Sequence, residues 1–206
     1  MIENKNLIKI EPLVEQIRGV SYSKKDISDK LKEGYIPVLR SNNIDKGQIN
    51  FDDLVYLKSN KIKKKQMLRK GDILITASTG SLKVIGKNGF CYKDYEATFG
   101  AFCKVVRPKN INADYLKHFF QSPQYFSYIQ NIVNGANINN IKNEHINNFK
   151  IPIPYQKSEI KNPSLETQKQ IAKILDNAAA LRDKTKQLLA EYDQLAQSIF
   201  LDMFGD

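Results

Sequence analysis

The sequence is poor in the residues that build disulfide frameworks, metal sites and membrane anchors. Among 206 residues there are two cysteines, Cys91 and Cys103, and two histidines, His118 and His145, none of them at metal-ligand spacing. We find no signal peptide pattern and no apolar run long enough to cross a bilayer. These absences predict a cytoplasmic protein with reduced cysteines, no structural metal and no membrane partner.

The motifs of catalysis are lacking as well. An adenine methyltransferase needs a glycine-rich loop after a strand for its methionine cofactor and an Asn/Asp-Pro-Pro-aromatic pocket for the flipped base. The sequence shows neither. Residues 158–161, Ser-Glu-Ile-Lys, are similar to half of a metal-dependent nuclease site but lack an upstream aspartate on a plausible strand. We therefore predict no catalytic residues and no cofactor.

What the chain does contain is a long helical pattern at its C-terminal end. From Ser164 to about Met203 no Gly or Pro interrupts it, and Ser164 is placed to cap its first turn. About 39 residues at ~1.5 Å each make a rod of roughly 58 Å. Apolar and small residues recur three and four apart, which is typical of a heptad seam. The seam positions are Ile171, Ile174, Ala178, Leu181, Thr185, Leu188, Tyr192, Leu195 and Ile199.

A rod of this length needs a surface that covers its seam. The spacing favours a second helix, so we predict that the seam dimerises. Small and polar residues at Ala178, Thr185 and Tyr192 leave an antiparallel pair and a larger bundle open beside a parallel zipper. The alternative is a long amphipathic helix that folds back on its own domain.

Positive charge is concentrated outside the helix. Residues 1–163 carry 27 Lys and Arg against 15 Asp and Glu, a net charge of +12, whereas residues 164–206 carry five against seven. Cationic excess on one domain attracts phosphate backbones and predicts salt-sensitive binding to nucleic acid. A lysine-rich composition is the alternative explanation, and the run at 61–65 can simply solvate a loop.

The hydrophobic pattern predicts an α+β fold: a mixed, β-rich domain with flanking helices over residues 1–155, a polar linker over 156–163, and one long coiled-coil helix over 164–206. Turns are expected at residues 45–48 and 70–72, and Asn88-Gly89 predicts a hairpin after a strand at 84–87. Helices are expected at 114–120 and from Ser122-Pro123 to about Val133. The predicted strands are 35–40, 54–57, 73–77, 84–87 and 99–106.

The order of several short motifs resembles that of the target-recognition domain and spacer helix of type I restriction-modification specificity subunits. The motifs are Arg18-Gly19 to Lys24, Gly34 to Ile44, Lys70 to Ile75, Gly135 to Ile141, Ile151-Pro-Ile-Pro154, Ser164 to Gln168, and Ser198 to Asp206. Each is weak alone, but together they cover nearly the whole chain. A typical subunit has two recognition domains alternating with two spacer helices, so this chain resembles half of one.

The resemblance implies a non-catalytic subunit that binds double-stranded DNA. It further implies methyltransferase subunits that methylate adenine with S-adenosylmethionine, and a restriction subunit driven by ATP that can join them. With one recognition domain, the chain is expected to form a homodimer or to pair with another half-subunit. Two copies related by a two-fold axis would read an inverted repeat with a fixed spacer.

Loops that read base edges need side chains that donate and accept at fixed geometry, such as Arg, Asn and Ser. Three loops and one basic segment supply them. Ordinary turns are the alternative for Asn42-Asn43 and for Ser78-Thr79, and core packing is the alternative for the tyrosines. The predicted DNA-binding residues are Ser21, Tyr22, Lys24, Lys25, Arg40, Ser41, Asn42, Asn43, Ser78, Thr79, Ser81, Lys83, Asn137, Asn139, Asn140 and Lys142.

Two other functions are compatible with the same residues. The chain could be a specificity module detached from a single-chain restriction-methyltransferase, in which case binding of S-adenosylmethionine would be expected. It could also be a basic coiled-coil scaffold, in which case its DNA binding would show no sequence preference.

Overall fold

A computed structural model of the chain describes residues 7–81, 84–136, 140–156 and 159–205. Its strands and helices form the predicted α+β fold. The strands are β1 (Leu7–Lys9), β2 (Val14–Arg18), β3 (Ile27–Ser28), β4 (Tyr35–Leu39), β5 (Ile44–Asp45), β6 (Gln48–Ile49), β7 (Val55–Lys58), β8 (Ile73–Thr76), β9 (Asn88–Phe90), β10 (Thr98–Phe99), β11 (Cys103–Pro108), β12 (Lys150–Pro152), β13 (Tyr155–Gln156) and β14 (Glu159–Pro163). The helices are α1 (Ala113–Phe120), α2 (Pro123–Ala136), α3 (Asn143–Asn147) and α4 (Leu165–Phe204).

Two four-stranded sheets form the centre of the domain. The first has the order β10-β4-β7-β3, with β4 parallel to β10 and antiparallel to β7. The second has the order β2-β11-β8-β9 and is antiparallel throughout. Strand β8 is buried at every position because it lies inside the second sheet with both of its faces covered. These pairings, several of them between strands far apart in sequence, produce the β-rich domain that the sequence predicts.

Hydrophobic packing joins the sheets to the helices. One cluster lies between the second sheet and α1, α2 and α3, and it includes the fully buried rings of Phe120, Tyr125 and Phe149. A second cluster, centred on Leu39, Phe99 and other residues of β4, β10 and β11, lies between the two sheets. Both cysteines are free and buried, and burial raises the pKa of the Cys103 thiol to about 12.

Three local predictions are wrong. Asn88-Gly89 is not a hairpin turn, because both residues lie in β9 and pair with β8. Residues 84–86 form a turn rather than a strand, and Gly86 adopts a φ of +78° there. The predicted polar linker overlaps a local hairpin formed by β13 and β14. At Asn88-Gly89, strand pairing with β8, which local composition does not encode, overrides the turn signal.

The long helix α4 begins and ends where the sequence predicts. The Ser164 hydroxyl accepts a hydrogen bond from the Thr167 amide at 3.2 Å, and Gly205 follows the last helical residue. Forty residues at ~1.5 Å each give a rod of about 60 Å. Within the described ranges no helix combines the length and apolarity of a bilayer span.

Candidate nucleic-acid interface

A short turn, Gly100–Cys103, joins β10 to β11 and lies at the centre of the predicted DNA-binding segments. The Gly100 amide donates to the carbonyl of Leu39 at 2.9 Å, directly before the loop that follows β4. A Cβ on Gly100 would lie 3.3 Å from the Tyr22 hydroxyl, so the segment after β2 passes close to the same turn. Tyr22 is half-buried, and this burial raises the pKa of its hydroxyl.

The other side of this turn holds the two remaining loops. The carbonyl of Phe102 accepts hydrogen bonds from the Ala77 amide at 2.9 Å and the Ser78 amide at 3.0 Å. The Ala77 carbonyl accepts one from the Ile141 amide at 2.7 Å, and Ser78 pairs with Asn140 in an antiparallel bridge. Four segments that are far apart in sequence therefore meet around one turn.

The segment after β2 is fixed by a capping aspartate. The Asp26 carboxylate accepts hydrogen bonds from the Ser23 hydroxyl at 2.6 Å and the Ser23 amide at 2.9 Å. These two bonds hold the pKa of Asp26 at about 2. The neighbouring side chains of Ser21, Lys24 and Lys25 are exposed, so an ordered turn presents them to solvent.

Asn43 builds the loop after β4 instead of facing outward. Its side chain is fully buried, its Oδ1 accepts a hydrogen bond from the Arg40 amide at 2.9 Å, and its Nδ2 donates to the carbonyl of Asp52. For Asn43 the turn interpretation is therefore the correct one, because a buried amide with satisfied partners cannot reach a base. Ser41 is half-buried and Asn42 is exposed.

Asp53 holds the two outward-facing donors of this loop. Arg40 Nη2 lies 2.6 Å from the Asp53 carbonyl and 3.0 Å from its carboxylate, to which Asn42 Nδ2 donates at 2.7 Å. Asp53 has a φ of +47°, a left-handed conformation that Asp tolerates better than most residues. Its carboxylate is 76% exposed, so the ion pair is weak in water and a polyanion can exchange with it.

The loop after β8 and the loop before α3 face each other. The Thr79 hydroxyl accepts a hydrogen bond from the Ser81 amide at 3.2 Å, which makes this loop an ST-turn. Ser78 and Thr79 are half-buried, whereas Ser81, Asn140 and Lys142 are exposed. The predicted contacts that lie outside the described residues are Lys83, Asn137 and Asn139.

A cleft of about 470 Å³ opens between these loops and the edge strand β2. Its lining contains three basic side chains and, among the described residues, no acidic one. The polar and basic side chains that line it include Gln16, Arg18, Ser78, Lys104, Asn140, Lys142 and Asn143. A cleft of this charge is suited to a phosphate backbone.

Lys104 connects the sheet to one wall of the cleft. It is 7% exposed, and its Nζ donates to the Ile141 carbonyl at 3.1 Å and to Asn143 Oδ1 at 2.7 Å. Burial without a carboxylate partner lowers the pKa of Lys104 to about 8. The cleft therefore holds a buried ammonium group whose pKa lies below that of an ordinary lysine.

Comparison with known proteins assigns the chain to a family. Residues 2–192 match the family described as type I restriction modification DNA specificity domain. The chain belongs to this family. It is 40% identical over 182 residues to the type I restriction enzyme EcoKI specificity subunit of Escherichia coli (strain K12), and 39% identical over 180 residues to the StySPI specificity subunit of Salmonella potsdam.

These matches cover 88% and 87% of this chain but 37% of each relative. Solved structures with the same fold are likewise matched by nearly all of this chain over less than half of their own length. The HsdS subunit from Thermoanaerobacter tengcongensis matches with a TM-score of 0.63 and 18% identity, over 97% of this chain and 44% of that one. A chain from a type I R-M system matches with a TM-score of 0.62 and 18% identity, over 94% and 44%. The chain thus spans less than half the length of these relatives.

In this specificity-family chain the first turns of α4 pack against the domain. Gln168 is fully buried and its side-chain oxygen accepts a hydrogen bond from the Asn112 amide at 2.9 Å. Ala172 belongs to the core cluster, and Ile171 is half-buried against the same cluster. Ile171 is therefore partly covered by the domain, and its place in the dimerisation seam stays a prediction. Local heptad spacing cannot distinguish a partner helix from the domain's own surface.

An ion pair fixes the next turn of α4. Lys117 of α1 is 5% exposed, and its Nζ lies 2.7 Å from Asp176 Oδ1. His118 Nε2 lies 2.9 Å from the same oxygen, and the Lys117 ammonium lies 5.3 Å from the ring centre of Phe90. The Lys117 ammonium on α1 therefore holds the Asp176 carboxylate on α4, which fixes the helix against the domain.

Beyond this anchor the helix leaves the domain. Every residue from 181 to 205 is exposed, so α4 does not fold back on its own domain. The exposed apolar seam begins at Ile174, with 67% of its surface accessible, and continues past Leu181 at 68%. The remaining predicted seam positions are exposed as well: Ala178, Leu188, Tyr192, Leu195 and Ile199.

Sequence reasoning missed three residues of the cleft as individual candidates. Lys104 had a usable signal, because it is a charged residue inside the apolar run of β11. Arg18 stands in a family motif but received no role. Phe102 had no such signal, since the sequence does not show that its turn lies at the centre of four loops.

Proposed function

We propose that the chain is a non-catalytic, sequence-specific DNA-recognition subunit of a type I restriction-modification complex. The observation that carries this proposal is a basic cleft beside the turn Gly100–Cys103, at which the four predicted DNA-binding segments meet; the cleft lining contains no acidic side chain among its described residues. The domain's net charge of +12 supplies long-range attraction to DNA, and the loops supply donors for base edges.

We divide the contacts by chemistry. Long basic side chains, namely Arg18 and Lys142 of the cleft and the exposed Lys24 and Lys25 after β2, neutralise phosphates and position the duplex. Shorter or fork-shaped side chains held by the loops, namely Arg40, Ser41, Asn42, Ser78 and Asn140, read base edges. Asn43 is left out because it is buried.

Charge reversal at the cleft tests DNA recognition. We expect Arg18→Glu to weaken duplex binding about tenfold or more and to reduce the slope of log affinity against log salt by about one. Lys184→Glu is the matched control. Lys184 is exposed on α4, so this substitution makes the same change of charge outside the cleft. Equal losses for the two variants, measured by fluorescence anisotropy at several salt concentrations, would refute the assignment of the cleft.

The exposed seam of α4 supports the second half of the proposal, a dimer that reads a bipartite site. A rod with leucines 43–68% exposed at seam positions has a strong hydrophobic reason to pair. Thr185 does not oppose this, because its hydroxyl donates to the Leu181 carbonyl at 2.9 Å and needs no partner across the seam. An antiparallel pair places two domains about a two-fold axis and predicts an inverted-repeat target.

A double substitution within the free part of α4 tests the dimer. We expect Leu188→Glu with Leu195→Glu to give a folded monomer that still binds one half-site weakly, because these residues contact nothing in the domain. Gln187→Glu with Gln194→Glu adds the same charge one residue away from each seam leucine. Light scattering that finds a dimer in both double variants would contradict the seam.

We assign methylation and cleavage to partner subunits, with this chain as the part that selects the DNA. Methyltransferase subunits are expected to bind the helix and the recognition domain, and a restriction subunit to join them. Co-purification with a methyltransferase subunit, followed by genome-wide mapping of methylated adenines, tests this: one recurring motif is expected. Methylation without a motif would refute the role in specificity.

A further inference from the structure

Phe102 is the most exposed large apolar side chain among the described residues, with 72% of its surface accessible. It lies in the turn Gly100–Cys103 and lines the basic cleft. Scattered apolar residues on a protein surface need no explanation. Phe102 differs from those because its backbone is held rigidly in the middle of the predicted DNA-binding loops.

The hydrogen bonds of this turn leave Phe102 little freedom. Its carbonyl accepts from two successive amides, Ala77 and Ser78, at 2.9 and 3.0 Å. The turn is closed by a bond from the Cys103 amide to the Gly100 carbonyl at 2.8 Å. An aromatic ring presented on a fixed backbone loses little entropy on binding, which is the property expected of a contact residue.

The neighbours of Phe102 in the cleft are polar or charged. Arg18 and Lys142 can contact phosphates, and Ser78 and Asn140 can contact base edges. Side chains that read base edges do so most fully in the major groove, where each base pair presents a distinct pattern of donors and acceptors. The one apolar feature that a base pair presents in the major groove is the 5-methyl group of thymine.

We propose that Phe102 is a specificity-determining residue that packs against the 5-methyl group of a thymine in the recognised sequence. The proposal rests on the proposed function, because it requires the cleft to bind duplex DNA. It predicts one position in each half-site at which thymine is preferred for its methyl group and not for its hydrogen-bonding pattern.

The first experiment selects bound duplexes from a random library, using the full chain with its methyltransferase subunits. Wild-type protein is expected to select a motif that contains at least one thymine, and Phe102→Ala to lose the preference at that position alone. Leu31→Ala is the matched control, since Leu31 is 66% exposed but lies away from the cleft. If wild-type protein selects no motif, the proposed function fails. If Phe102→Ala selects the unchanged wild-type motif, only the role of Phe102 fails.

The second experiment changes the DNA and leaves the protein intact. Replacing that thymine with deoxyuridine removes one methyl group and is expected to weaken wild-type binding about fourfold, as for one buried carbon. The same replacement should not change binding by Phe102→Ala, whereas Phe102→Leu should keep part of the effect. A wild-type affinity that is equal for thymine and deoxyuridine at every position would overturn the proposal. A Phe102→Ala loss that is independent of the methyl group would point instead to a wedge between base steps.

Discussion

The globular domain and the projecting part of α4, residues 181–205, differ in how they place their apolar and charged side chains. The domain buries apolar side chains in three clusters among its described residues and pairs a deeply buried carboxylate, that of Asp72, with Arg107. The helix from residue 181 onward exposes its apolar side chains and carries its charges at the surface. The comparison teaches that the same residue types stabilise the fold in one region and are available for assembly in the other.

The largest expected difference between the regions concerns ion pairs. Arg107 donates to both oxygens of Asp72 at 2.7 Å, and the Asp72 side chain is 1% exposed. We expect Asp72→Asn to lower the free energy of unfolding by about 3–5 kcal/mol, because it leaves a buried guanidinium without its charge partner.

The control for this prediction lies on the helix. Asp183 forms an ion pair with Arg182 in which both side chains are more than 60% exposed, so Asp183→Asn should change the free energy of unfolding by less than about 0.5 kcal/mol. Urea denaturation followed by circular dichroism measures both variants. Similar losses for the two would break the comparison.

A smaller effect is expected at two neighbouring positions of the same heptad. Ile171 packs against the domain core, whereas Ile174 is 67% exposed. We expect Ile171→Ala to lower the domain's free energy of unfolding by about 1–2 kcal/mol, less than for a fully buried isoleucine. Ile174→Ala should leave the monomer's stability unchanged and weaken only the dimer. Thermal unfolding of a monomeric background together with sedimentation of the parent chain separates the two effects.

The smallest effect is a dependence on pH at the cleft. The pKa of Lys104 is about 8 in the folded chain and 10.5 in an ordinary environment. The unfolded chain therefore binds more protons between these values, so this group disfavours folding fully below pH 8 and ceases to do so as the pH rises toward 10.5. DNA binding should follow the opposite trend, because the cleft loses a positive charge as the pH rises through 8.

We expect duplex affinity to fall a few-fold from pH 7 to pH 9 in the wild type. In Lys104→Met the fall in affinity over the same range should be about half as large or smaller. Fluorescence anisotropy at constant ionic strength measures this change. A pH dependence that is identical in the wild type and in Lys104→Met would assign the titration to another group.

Sequence patterns predicted the elements that depend on neighbouring residues. The buried strand at 73–76, the turn at Gly47 and the cap at Ser164 follow from local composition, because backbone conformation there is decided within a few residues. The patterns failed at Asn88-Gly89. There, strand pairing with β8 and close contact with Gln48 of β6 override a turn-forming dipeptide. They also failed at Asn43, whose partners Arg40 and Asp52 are brought together only by the loop fold.

The sequence by itself determined that the chain has a basic, β-rich domain and a long uninterrupted helix with a heptad seam, since charge and periodicity are properties of the residues in order. Tertiary structure alone decided how exposed each seam residue is: Ile171 is half-buried against the domain and Ile174 is 67% exposed. It also decided that Phe102 and Lys104 share a cleft with loops from distant parts of the chain. The physical reason is that burial and proximity depend on contacts between residues far apart in sequence, which no local pattern specifies.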